Sequence, residues 1–66
     1  MISVKGFLRL LYKYNKGSLR LVDMGKEVEV IDLENKNECN SINRKIINFT
    51  FDKIEEDDVV ITAEVK

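Results

Sequence analysis

Two short spacers of the same form, "NKG" at 15 to 17 and "DMG" at 23 to 25, divide the first half of the chain into apolar runs eight residues apart. A polar residue, any residue and then Gly is the pattern of a type I turn followed by a left-handed Gly, which closes a three-residue hairpin loop. Its repetition predicts a three-stranded meander over about 4 to 14, 18 to 22 and 26 to 33. In the third of these, "EVEVIDL", Val28 and Val30 alternate with Glu27 and Glu29, as a strand with one wet face should.

The residue types agree with that reading. The chain has seven Ile and seven Val but one Ala, Ala63, and β-branched side chains suit pleated sheets better than helices. After "ENKNECNSINRK" at 34 to 45, a polar stretch that reads as a loop with room for a short helix, alternation resumes. "IINFTFDKI" places Ile47, Phe49 and Phe51 opposite Asn48, Thr50 and Asp52. "EEDD" at 55 to 58 makes a turn, and "VVITAEV" sets Val59, Ile61, Ala63 and Val65 against Val60, Thr62 and Glu64.

The opening stretch supports two readings. On a helical wheel Val4, Phe7, Leu8, Leu10, Leu11 and Tyr14 gather on one side, with Lys5, Arg9, Lys13 and Lys16 on the other. A helix, however, would contain Gly6, at a cost of about 1 kcal/mol relative to Ala. A strand also makes Gly17 the natural end of the first turn. The expected fold is therefore mainly β, a small five-stranded OB-like or SH3-like barrel with a loop or short helix between strands 3 and 4. The alternative is α+β, an N-terminal amphipathic helix followed by four antiparallel strands.

At 66 residues the chain makes one domain near the lower size limit for independent folding. Its longest wholly aliphatic run, Val59-Val60-Ile61, is far below the roughly 20 residues of a membrane span. No signal-peptide pattern opens it. The expectation is a soluble, cytoplasmic protein with no membrane partner. Cys39 is the single cysteine and there is no His, so Cys-His catalysis and zinc ligation lack their groups. No cofactor, no metal and no enzymatic activity are expected, since no catalytic constellation stands at a diagnostic spacing.

Charge is the remaining signal. Residues 1 to 26 carry six basic side chains and one acid; residues 27 to 66 carry five basic side chains and eleven acids. Such segregation steers a small domain toward a complementary protein partner. The candidate contact residues are Arg9, Tyr12, Lys13, Tyr14, Lys16 and Arg20, where basic groups alternate with Tyr, types favoured at interface hot spots. The same residues offer the basic-aromatic mixture that single-stranded nucleic acid uses, although a pI near 5.4 opposes that reading. An inhibitor could instead present Glu27, Glu29, Glu55, Glu56, Asp57 and Asp58 as a mimic of phosphates. An adaptor or inhibitor of a larger protein complex is the function expected first, single-stranded nucleic-acid binding second, and a homo-oligomer joined through strand edges third.

Overall fold

In the computed structural model, which describes residues 1–66, the first expected strand is a helix. Helix α1 spans Val4–Leu10. Ser3 caps it, its side-chain oxygen accepting from the N–H of Gly6 at 3.1 Å, which satisfies one of the donors every helix start leaves open. The N–H groups of Val4 and Lys5 donate to the carbonyls of Arg44 and Ile42, at 2.8 and 3.0 Å, so the loop before the last hairpin completes the cap. Val4, Phe7, Leu8 and Leu11 recur at helical spacing and are all buried. Gly6 is tolerated because the Ile2 side chain lies against it, where an added Cβ would stand 2.9 Å from Ile2 Cγ1.

Four strands follow: β1 (Lys16–Asp23), β2 (Lys26–Asp32), β3 (Ile46–Glu55) and β4 (Asp58–Val65). They form one open sheet in the order β2-β1-β4-β3. Two antiparallel hairpins lie side by side, and their inner strands β1 and β4 run parallel. The chain is mainly β, as expected, but the five-stranded OB-like or SH3-like barrel is not confirmed: residues 4 to 10 are helical, and the sheet is not closed. The alternative of a helix followed by four strands has the right elements, except that the central pair is parallel. A 3-10 turn, η1 (Leu33–Asn35), opens the polar segment between β2 and β3, where the short helix was allowed for.

The hairpin expected at "DMG" is present with a shorter loop. Met24 and Gly25 both take positive φ, 51° and 81°, and two such residues make the two-residue turn whose twist matches the strands. Gly17 closes no turn. It lies inside β1 opposite Val59 with φ 103°, where a Cβ would stand 1.8 Å from the Val59 carbonyl oxygen.

Leu19 and Leu21 of β1, Ile31 of β2, Ile46 of β3 and the alternate residues Val59 to Val65 of β4 point to one face and pack under α1 and Leu33. Three bulges decide which side chains reach that face, and all three lie on the two outer strands. The extra residues, read from the breaks in register, are Val28 on β2 and Ile47 and Asp52 on β3. An extra residue reverses the alternation beyond it. Ile46, rather than the expected Ile47, therefore joins Phe49 and Phe51 on the helix side, and Ile47 is exposed.

Candidate functional surfaces

The opposite face of the sheet has no covering element, and the side chains it carries depart from expectation. On β2 it is Glu29 that turns toward the helix side, in register with Leu21, while Val30 lies outside, 51% exposed. Val28 is 39% exposed. Beyond the bulge at Val28 the alternation read from "EVEVIDL" keeps its period with its sense inverted, while Glu27, in register with Val22, stays on the open face. The physical reason is the segment 39 to 41. Glu29 Oε2 accepts from the N–H of Asn40 at 3.0 Å and Oε1 from that of Ser41 at 2.9 Å, so the carboxylate anchors the loop that closes the helix side. Burial alone would push the Glu29 carboxyl up, but these donors, with the Ser41 and Cys39 side chains, hold it below its ordinary 4.5.

Cross-strand register arranges the open face in rows. Arg20 lies between Val30 of β2 and Thr62 of β4, and Thr62 faces Thr50 of β3. One neighbouring row runs Asp32, Ser18, Val60, Lys53; the other runs Glu27, Val22, Glu64, Asn48. Two of the face's acids are already engaged: Glu64 accepts from Asn48 at 2.9 Å and Asp52 from the Thr62 hydroxyl at 2.6 Å. Arg20 is exposed and makes no ion pair; the pairs formed are Arg44 with Asp23 and Lys53 with Glu55 and Asp58. An unpaired guanidinium thus lies opposite Val30, with Val22 and Val60 in the adjoining rows of a face that also carries Glu27, Asp32 and Glu64.

The other basic and aromatic candidates do not form one surface. Tyr14 is half-buried, edge-on to Phe51 at 6.2 Å, in a row that continues through Phe49 to Phe7. Lys13 lies over the Tyr14 ring at 5.2 Å. Lys16 begins β1 beside the β3–β4 turn and shares a shallow pocket with Glu55, Glu56, Asp57 and Asp58, so its charge is locally opposed. The acidic set is divided in the same way. Glu27 adjoins the β1–β2 turn at one end of the sheet, residues 55 to 58 occupy the other end, and Glu29 is held by the loop.

Arg9 and Tyr12 come together on the helix side of the molecule. They line an open groove of about 480 Å³ between α1 and the segment after η1, with Lys5, Leu8, Lys36, Asn37 and Ile42. Lys5 and Arg9 are four residues apart on α1 and so share a face. Their clustering was readable from the helical wheel, whereas nothing local in the sequence places Lys36 beside them.

No three carboxylate or thiol groups converge as a metal-binding set, and no helix is long and apolar enough to cross a membrane. No family model, curated protein or solved structure matches the chain.

Proposed function

We propose that this is a small non-enzymatic binding protein that docks another protein on the open face of its sheet, as an adaptor or inhibitor of a larger complex does. The observation behind this reading is the inverted β2, which turns Val28 and Val30 outward beside Val22 and Val60 on a face that nothing covers. Complete burial of a Val side chain is worth about 1.5 to 3 kcal/mol, so leaving several in water favours a partner that covers them. Arg20 at the centre specifies what the partner brings. An apolar surface carrying a carboxylate would pair the guanidinium with two parallel hydrogen bonds in a site drained of water.

Two other readings lose support for physical reasons. Assembly through strand edges needs a regular ladder, and both outer strands carry bulges, a common means of blunting an edge. Phosphate mimicry needs one continuous acidic surface, and the acids lie at opposite ends of the sheet.

The test is affinity capture from the native cell with wild-type protein and with Val30→Lys and Arg20→Glu. A specific partner held by the wild type and lost from both variants supports the reading. Equal retention by all three removes the open face from the interface.

A further inference from the structure

We propose that the groove between α1 and the segment after η1 is a second, separate site that binds a nucleoside phosphate carrying two or more phosphoryl groups. Its lining has three cations, Lys5, Arg9 and Lys36, and no carboxylate. None of the three takes part in an ion pair. A concave surface of one sign with low-dielectric walls focuses its field and concentrates counter-ions. Here the walls are Leu8 and Ile42.

The three cations are held from two elements. Lys5 and Arg9 project from successive turns of α1, and Lys36 is fixed across from them by donating from Nζ to the Tyr14 carbonyl at 2.6 Å. An ammonium has three donors, so Lys36 is oriented by one and has two left. Arg9 offers a planar fork and the two lysines offer point charges, the mixture that suits a chain of phosphoryl oxygens.

Tyr12 decides between a phosphorylated aromatic ligand and an acidic peptide. The residue is 77% exposed at the groove and its ring plays no part in the aromatic row of the core. A base can stack on that ring, a surface for which an acidic peptide has no need. The groove's volume is at the small-ligand end of the usual range. The acid surplus of residues 27 to 66 opposes extension of a long polyanion beyond it. A single strand whose 5′ end carries a polyphosphate presents the same chemistry at that end as a free nucleotide.

Amide chemical-shift titrations with ADP, inorganic tripolyphosphate and a 5′-triphosphorylated single-stranded oligothymidine test the site. ADP is expected to move the signals of α1 and of residues 36, 37 and 42, with an affinity that falls as salt is raised. Lys5→Gln combined with Arg9→Gln, both exposed on the helix, should weaken ADP about tenfold or more. Tyr12→Leu should weaken ADP about tenfold while leaving tripolyphosphate unchanged. Oligothymidine binding with the same variant profile identifies the strand end as a source; ADP binding alone identifies free nucleotide. Absence of these shifts at millimolar ADP, undiminished affinity in the double variant, or a polyglutamate peptide binding where ADP does not, overturns the proposal. Retention of the sheet-face partner by the double variant keeps the two sites distinguishable.

Discussion

Gly17 and Val59 face each other across the parallel β1–β4 pair so closely that a Cβ on Gly17 would stand 1.8 Å from the Val59 carbonyl oxygen. Gly17 also has φ 103°. Gly17→Ala therefore combines backbone strain with a clash against main chain that no side-chain rotation relieves. A cost of about 3 kcal/mol or more is expected, more than half of the roughly 5 kcal/mol that holds a domain of this size folded. Gly25 supplies the comparison: its φ is 81° but nothing lies within 4 Å of an added Cβ. Gly25→Ala should cost only the left-handed penalty of about 1 to 2 kcal/mol. Urea unfolding of the two variants measures the difference, and equal losses would remove the close approach as its cause.

The inverted sense of β2 predicts an unusual pair of outcomes at adjacent positions. Val30 is half-exposed and Ile31 fully buried. Val30→Lys should change stability by less than about 1 kcal/mol, the range of strand propensities, whereas Ile31→Ala should cost about 2 to 5 kcal/mol. If Val30→Lys were the more damaging, the open face would be covered within the protein itself.

How legible these features were depended on how far their causes lie along the chain. Strand β4 reads directly, because residues 59 to 65 keep strict alternation and every second side chain is buried. The sense of β2 does not, because Glu29 is drawn inward by the N–H groups of Asn40 and Ser41, eleven and twelve residues away. Bulges at Val28, Ile47 and Asp52 reverse alternation without changing composition. Gly17 has the spacing of a turn residue, but the need for a missing side chain there comes from Val59 across the sheet. Helix α1 was hidden by Gly6, whose space is taken by Ile2. Of the candidate site residues, Arg20 was legible as an exposed cation, but its valine surroundings come from three strands.

Glu29 should make stability depend on pH in the acid range. Its folded carboxyl titrates below its ordinary value of 4.5, so over that window the unfolded chain binds more protons than the native one. The resulting stabilisation is complete above the unfolded pKa and is lost as pH falls through the folded one. Glu29→Gln keeps the size but replaces one acceptor oxygen with a donor facing the loop's N–H groups. It should cost about 1 to 3 kcal/mol at pH 7, and the gap to wild type should shrink toward pH 3. A gap constant from pH 7 to pH 3, measured by urea unfolding, would show that the carboxylate's charge is not what holds the loop.

Cys39 reports on the same anchor through its chemistry. Burial pushes its thiol above the ordinary 9.0, and the neighbouring Glu29 charge, with Sγ 3.9 Å from Oε1, pushes it further the same way. The N–H of Ser41 acts in the opposite direction and does not prevail. The thiolate is the reacting form, so at pH 8 the folded protein should react with a disulfide reagent several-fold more slowly than free cysteine. Unfolding in urea should remove the protection. Glu29→Gln takes away the charge and loosens residues 39 to 41 together, and its thiol should react faster than wild type at the same pH. A rise in pH toward 10 separates the two contributions: charge repulsion is overcome once the thiol ionises, whereas steric shielding by the loop persists. A wild-type rate equal to that of free cysteine at pH 8 would mean that residues 39 to 41 are open most of the time and that Glu29 does not anchor them.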